Sequence, residues 1–414
     1  MTDFKSLKLN DSILKALDKK GYTRPTPIQE KSIPHIMNKK DLLGIAQTGT
    51  GKTAAFSLPL IHNLMSSGVE VKPKNVRALI LTPTRELASQ IEDNIKMYSK
   101  GTNFKTAVIF GGVGSTPQIN KLKKGLDILI ATPGRLLDLM GSGHVQYNQL
   151  ECFILDEADR MLDMGFIHDI KKVIKKLPPK KHTLLFSATM PSSISKLASS
   201  LLRDPIRVEV TPESSTVDKI DQKINFVEKS NKIELLVNVL KDKKINSALV
   251  FSRTKHGADK IVRKLQKFSI QSAAIHGNKS QGARERALNA FRTGDMNILI
   301  ATDIAARGID VKDVSHVINF DLPNDPENYV HRIGRTARAG RDGVAISFCD
   351  ESEKKYLKAI EKFIKLKIPV DSTHIMHGVA AKAPVHNQGR PQGAPKQKRN
   401  PKGHKNRVKK ANRE

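Results

Sequence analysis

Short apolar runs alternate with segments of helical period along most of the chain. The runs are 41–46, 78–82, 107–111, 127–131, 152–156 and 183–187 in a first block, and 224–228, 247–252, 272–277, 297–302, 316–320 and 344–349 in a second. Most are rich in Ile, Val, Leu and Ala without polar alternation, as strands buried on both faces are. Strand–helix alternation of this kind predicts an α/β fold of parallel sheets covered by helices. The two blocks are laid out alike, which predicts a tandem of related domains over 1–209 and 219–370. Between them, 210–218 holds the polar, proline-containing stretch Thr211-Pro212-Glu213-Ser214-Ser215-Thr216, read as a linker. Residues 371–414 are expected to form a disordered basic tail, because from Gly378 on almost nothing is apolar and eleven Lys/Arg face one acid, Glu414.

Charge narrows the partner. Lys and Arg exceed Asp and Glu by 71 − 41 = 30 over 414 residues, a balance that favours polyanions. No apolar run approaches the ~20 residues of a membrane span, and the N-terminus, Met1-Thr2-Asp3-Phe4-Lys5, lacks the apolar core of a signal peptide. Nucleic acid in the cytoplasm is therefore expected, with no membrane partner. Trp is absent and aromatics are 5%, which points to backbone contacts over a stacking platform. Cys152 and Cys349 sit in apolar stretches and read as buried free thiols, and the 13 His show no metal-ligand spacing with Cys.

The chemistry begins at Ala46-Gln47-Thr48-Gly49-Thr50-Gly51-Lys52-Thr53, a phosphate loop that follows a strand and opens a helix. Thr48, Gly49, Thr50 and Gly51 can turn backbone N–H groups onto phosphates. Lys52 would neutralise the β- and γ-phosphates, and the Thr53 hydroxyl would ligate Mg²⁺. About a hundred residues on, an apolar run ends in Asp156-Glu157-Ala158-Asp159. Asp156 at the strand end suits Mg²⁺ held through water, and Glu157 suits orienting and deprotonating the attacking water. The pair of motifs implies a nucleoside triphosphate hydrolase. In the second block, His331-Arg332-Ile333-Gly334-Arg335-Thr336-Ala337-Arg338 has three arginines within seven residues, and Arg335 and Arg338 read as arginine fingers supplied across a cleft.

The Asp-Glu-Ala-Asp tetrad makes the chain resemble the DEAD-box ATP-dependent RNA helicases, and further motifs follow that family's order over roughly residues 4–340. Ala46 replaces the usual first Gly of a phosphate loop and matches the family's loops. Gly21-Tyr22-Thr23-Arg24-Pro25-Thr26-Pro27-Ile28-Gln29 resembles the Q motif. It implies adenine recognition by Gln29 with Arg24 nearby, base stacking by Phe4, and ATP over GTP. The resemblance implies RNA-backbone contacts from Pro83, Thr84, Arg85, Gly112, Thr132, Pro133, Gly134 and Arg135, some of which also suit helix capping. In the second block it implies RNA contacts from Arg253, Gly277, Gln281, Arg284, Thr302 and Arg307, and nucleotide contacts from Gly308 and Asp310. Ser187 and Thr189, with Asp159 and His331, would couple hydrolysis to strand separation. Ala337 departs from the family's common Gly.

The short N-terminus and basic tail are most similar to the RhlE-type bacterial group. The implied whole is two tandem RecA-like domains forming an RNA-dependent ATPase that uses ATP and Mg²⁺. It would bind single-stranded RNA or short duplexes largely without regard to sequence, with ribosomal precursors or RNA-decay machinery as partners. A DNA-directed helicase and a non-hydrolysing RNA scaffold are the rival readings.

Overall fold

The computed structural model describes residues 3–373 apart from 48, 211–219, 243, 307–310, 312–313 and 337–342. The first sheet contains β1 (Leu42–Ala46), β2 (Val76–Leu81), β3 (Thr106–Ile109), β4 (Leu126–Ala131), β5 (Cys152–Leu155), β6 (His182–Ser187) and β7 (Ile206–Val210), in the order β3-β4-β2-β5-β6-β1-β7. The second contains β8 (Ile220–Phe226), β9 (Ala248–Phe251), β10 (Ala273–Ile275), β11 (Ile298–Ala301), β12 (His316–Asn319) and β13 (Gly343–Cys349), in the order β10-β11-β9-β12-β13-β8. Every neighbouring pair is parallel.

The unbroken apolar runs are explained by cores on both faces. In β2, Ala78 and Ile80 join one core, while Val76, Leu79 and Leu81 join the other. The helix Lys52–Ser67 packs on the first of these faces, and Phe56 from it meets Phe186 of β6 with ring centroids 5.4 Å apart. Arg77, 2% exposed, ties together the amino ends of the neighbouring strands β4, β2 and β5. It pairs with Asp127 at 2.9 Å and Glu151 at 2.7 Å and donates to the Leu64 carbonyl at 2.8 Å.

Two strands correct the sequence expectation. β7 was not expected at all, and β8 runs 220–226, not 224–228. Both are edge strands, β7 beside β1 and β8 beside β13, and each alternates buried with exposed positions. A search for continuous apolar runs passes over such strands. Of the expected linker 210–218, Val210 ends β7 and the rest lies outside the described residues. Of the expected tail 371–414, residues from 374 on lie outside them, and Asp371 is held by its N–H donating to the Ile224 carbonyl at 2.9 Å. Both cysteines are buried free thiols, and burial pushes the Cys349 thiol up to about 12. No helix among the described residues is long and apolar enough to cross a membrane.

Candidate nucleotide cleft and nucleic-acid groove

Parallel strands deliver their carboxyl ends to one edge, and the motif loops leave from there. After β1 the chain turns through Gly49 (φ 89°) and Gly51 (φ 97°) into the helix that opens at Lys52. Gly51 is required twice over. Its φ lies in the left-handed region, and a Cβ would run into Gln29 Nε2 and Thr26 Oγ1. Gln29 is why that space is closed. Its Nε2 donates to the Gly51 carbonyl at 3.1 Å, and its Oε1 accepts from the Thr26 N–H at 3.0 Å. The Q-motif glutamine therefore fastens the phosphate loop, and each of its polar atoms keeps one further hydrogen-bonding capacity for an adenine edge.

Lys52 is 7% exposed and its Nζ donates to the Ala46 carbonyl at 2.6 Å, a neutral partner that a phosphate can displace. Asp156 and Glu157 are 2% and 4% exposed at the end of β5. Burial raises the Asp156 carboxyl pKa above the usual range, and the Glu157 charge adds to this against the opposing pull of Lys52. Glu157 itself has φ 54°, a left-handed conformation uncommon for a residue with a side chain, and it caps the helix Ala158–Asp163. Its Oε2 accepts from Arg160 Nη1 at 2.9 Å, with both side chains buried. Arg160 was not singled out in the sequence, where only its i+3 spacing from Glu157 hints at the contact.

Asp159 turns toward the loop that follows β6. Its Oδ2 accepts from Ala188 N at 3.0 Å, Thr189 N at 2.8 Å and Thr189 Oγ1 at 3.0 Å. Its own N–H donates to Ser187 Oγ at 3.3 Å. The Ser187-Ala188-Thr189 loop is thus bonded directly to the acidic tetrad.

Lys52, Asp156 and Glu157 share one cleft of about 450 Å³ with Phe4, Tyr22, Arg24, Gln29, Thr53 and, from the second sheet's side, Arg335. Tyr22 and Asn94 join the lining without having been foreseen. Phe4 is 5% exposed, seated between this cleft and the core. Thr48, Arg307, Gly308, Asp310 and Arg338 lie outside the described residues. Thr53 and Asp156 offer a hydroxyl and one carboxylate, and no group of three or more His, Cys, Asp or Glu among the described residues could hold a metal ion. That donor set fits Mg²⁺ shared with phosphate oxygens, as an all-protein cage would not.

A second cleft of about 280 Å³ lies along the same edge. Pro83, Thr84, Arg85, Gly111, Thr132, Gly134 and Arg135 line it from the first unit, and Gly277, Arg284, Ile304 and Ala305 from the second. Gly112 has φ 77°, and any Cβ there would strike the Arg85 guanidinium that lies over it. Arg85 is held below the usual arginine range by burial first, and then by Arg284 and Arg135. Three arginines crowded this way suit a polyanion. Arg135 donates to the Val113 carbonyl at 2.9 Å, and Arg284 meets Glu86 at 2.8 Å across the two units. Thr84 also caps its helix by accepting from Leu87 N at 3.3 Å. Thr132 and Pro133 start the helix Pro133–Gly141. Gln281 Nε2 donates to Glu285 at 3.0 Å, and Thr302 is buried at the end of β11.

Three residues read differently in space. Arg253 donates to the Leu322 carbonyl at 3.0 Å, pairs with Glu353 and lies over the Tyr356 ring, and it is not among the residues that line the smaller cleft. Arg332, the first arginine of its run, has no acid near it in sequence, yet it chelates Asp303 at 2.6 and 2.8 Å. His331 is half-buried on the helix Pro326–Ile333, among neither cleft's lining. Met164, Phe166 and the 62%-exposed Ile304 give the groove an apolar side that no motif announced.

The chain matches the DEAD/DEAH box helicase family over residues 26–197 and the helicase conserved C-terminal domain over residues 231–340. The ATP-dependent RNA helicase CshA of Limosilactobacillus reuteri is 40% identical over 88% of this chain and 72% of that protein. The DEAD-box ATP-dependent RNA helicase RhpA of Helicobacter pylori is 41% identical over 88% and 73%. Among solved structures, S. cerevisiae Dbp5 bound to RNA and ADP BeF3 is 30% identical with a TM-score of 0.78, covering 90% of this chain and 96% of that one. A DEAD box protein from Methanococcus jannaschii is 41% identical with a TM-score of 0.51, covering 90% and 99%. With its two parallel-sheet units, its phosphate loop tied to a Q motif and its Asp-Glu-Ala-Asp turn bonded to Ser187-Ala188-Thr189, the chain belongs to the DEAD-box ATP-dependent RNA helicase family.

Proposed function

We propose that the protein hydrolyses ATP in the larger cleft and holds single-stranded RNA in the smaller one, and that closure of the two units couples these events. One observation carries the reading: both clefts are lined from both units, by Arg335 opposite Lys52 and by Arg284 opposite Glu86. A ligand that binds across either cleft favours closure and so favours the other ligand, by equal factors in each direction.

The chain's own residues account for the steps. Gln29 and Phe4 select and stack the adenine. Lys52 leaves the Ala46 carbonyl for the β- and γ-phosphates. Glu157, aimed by Arg160 and by its left-handed backbone, accepts the proton of the attacking water as that oxygen bonds to the γ-phosphorus and the bond from the γ-phosphorus to the β,γ-bridging oxygen breaks, leaving ADP and phosphate. Arg335 neutralises charge that develops on the transferred group, a role the family resemblance also gives to Arg338. Mg²⁺ bound by Asp156 and Thr53 would add charge neutralisation on the phosphate oxygens. Asp159 transmits the state of the site to Ser187 and Thr189. In the groove, Arg85, Arg135, Gly112, Thr132, Gln281 and Thr302 hold the RNA backbone. A strand bent to fit a two-sided groove cannot stay paired, so a short duplex opens locally, and loss of phosphate releases the RNA. The +30 charge supports phosphate-dense substrates in the cytoplasm, ribosomal precursors or transcripts met by RNA-decay machinery.

The test is ATP hydrolysis by wild type and Lys52→Ala, each alone, with single-stranded RNA and with matched DNA. RNA-specific stimulation absent from Lys52→Ala supports the reading. Equal stimulation by DNA moves the protein to a DNA-directed role, and no hydrolysis in any condition leaves a binding scaffold.

A further inference from the structure

The helix Ile167–Ile174 connects the RNA groove to the opposite edge of the first sheet. It starts directly after Phe166, which lines the groove, and the chain then turns through 175–181 into the start of β6 at His182. Eight residues of helix cover about 12 Å. Ile170, Val173 and Leu177 are buried beneath this stretch, while Lys171, Lys172, Lys175, Lys176 and Lys180 are exposed and Lys181 is half-buried. The single acid between 164 and 182 is Asp169, 4.0 Å from Lys172.

Past the helix lies a depression of about 450 Å³. Lys39, Lys180, Lys181 and Arg203 rim it, over a floor that includes Leu60 and Leu64. Its acids are already engaged. Asp41 accepts from Thr183 N and Arg203 N, each at 2.8 Å, and Glu151 pairs with Arg77. Lys181 is held below the usual lysine range by burial and by the Arg203 charge.

This arrangement works against local stability. Lys171 and Lys175, and Lys172 and Lys176, are like charges one turn apart, each pair destabilising by about 0.2–0.5 kcal/mol. The helix dipole favours a cation or two in the last turn, but does not account for Lys180, Lys181 and the rim beyond. Departures from local rules concentrate at functional or strained sites.

We propose that this face is a second RNA-binding surface, a lysine row that takes the phosphates of the strand flanking the groove and leads them to the basic rim at the amino edge of the sheet. The proposal rests on the reading of the groove as RNA-binding. The row is continuous with that groove at Phe166. It also carries no exposed large apolar side chain among its described residues, whereas the core of a protein interface is built on such anchors.

The experiment compares full-length wild type with Lys171→Gln/Lys172→Gln/Lys175→Gln/Lys176→Gln and with the corresponding four-Arg variant. Two RNAs are used, one that fills only the groove and one extended by a flanking strand. For the extended RNA, the slope of log K against log salt should fall in magnitude by as much as about 3 in the Gln variant (0.7 for each of four charges). It should hold in the Arg variant. ATPase stimulation by the short RNA should be unchanged in all three proteins. Equal slopes for wild type and the Gln variant on the extended RNA overturn the proposal. So does four-lysine-dependent binding of poly-glutamate with RNA binding intact, which would make the face a site for acidic protein. A short RNA that fails to stimulate the wild type instead removes the groove reading itself.

Discussion

Replacing Arg160 by Met tests whether the carboxylate proposed as the base is held by a buried charge. Glu157 and Arg160 meet at 2.9 Å with side chains 6% and 5% exposed. Removing one partner of such a pair strands the other in a dry site, at a cost of about 3–5 kcal/mol. Glu157→Gln is milder, about 1–3 kcal/mol, because the amide oxygen still accepts a hydrogen bond. Removing both charges removes the reason for most of the penalty. The double variant Arg160→Met/Glu157→Gln is therefore expected to be more stable than Arg160→Met alone, by about 2 kcal/mol or more. The assay is urea unfolding of the full chain with the first unit's transition fitted separately, since two units do not unfold as one. Activity adds an independent readout: Arg160→Met should lower kcat with ATP KM little changed, as it disturbs the aim of Glu157 and not the phosphate cradle. Single-variant losses that add to the double-variant loss within about 0.5 kcal/mol would refute the pair.

Gly51→Ala should raise the KM for ATP at least tenfold while the protein stays folded, because the new methyl collides with Gln29 and its φ of 97° costs about 1–3 kcal/mol; an ATP titration with a melting curve checks it, and an unchanged KM removes Gln29 as the loop's fastener. Asp159→Asn keeps the shape but removes the charge, and because both carboxylate oxygens accept backbone N–H groups its amide donor must face one of them, so duplex opening should fall further than RNA-stimulated hydrolysis. Proportional loss of both would make Asp159 a structural residue only. Deleting residues 378–414 removes eleven cationic side chains and should flatten the salt dependence of RNA binding; an identical slope would make the tail a bystander.

The sequence was most legible where one physical demand controls a whole segment. Strands buried on both faces must be continuously apolar, so β1, β2, β4, β5 and β6 were found near their true bounds. The phosphate loop was equally clear, because Gly49, Gly51 and Lys52 answer to backbone geometry and charge within a few positions. Contacts that form only in the fold were not legible. Arg332 looked free because Asp303 is 29 residues away, and Arg253 looked available because Glu353 is a hundred away. Glu86 and Arg284 sit in different units. The basic helix face was hidden for another reason: six lysines in a chain of net charge +30 do not stand out until their burial pattern and their position beside Phe166 are known.

The second sheet shows why a repeated architecture yields one nucleotide site. Lys232 opens the helix after β8, as Lys52 opens the helix after β1, and β8 lies beside β13 and then β12 as β1 lies beside β6 and then β5. Asp321 follows β12 closely, as Asp156 follows β5. The difference is what the lysine holds. Lys52 rests on a neutral carbonyl, whereas Lys232, 1% exposed, meets Glu353 at 2.5 Å, Asp350 at 3.2 Å and Asp321 at 3.6 Å. The loop before Lys232, Val227-Glu228-Lys229-Ser230-Asn231, contains no glycine to bring backbone amides onto a phosphate. Internal carboxylates thus occupy the place that phosphates take in the first unit, and displacing them would strand several buried charges at once. With its own lysine locked, the second unit reaches the nucleotide cleft, among the described residues, through Arg335 at the edge of its partner's cleft. Hydrolysis then needs both units, and a protein that needs both can be governed by an RNA that also spans them.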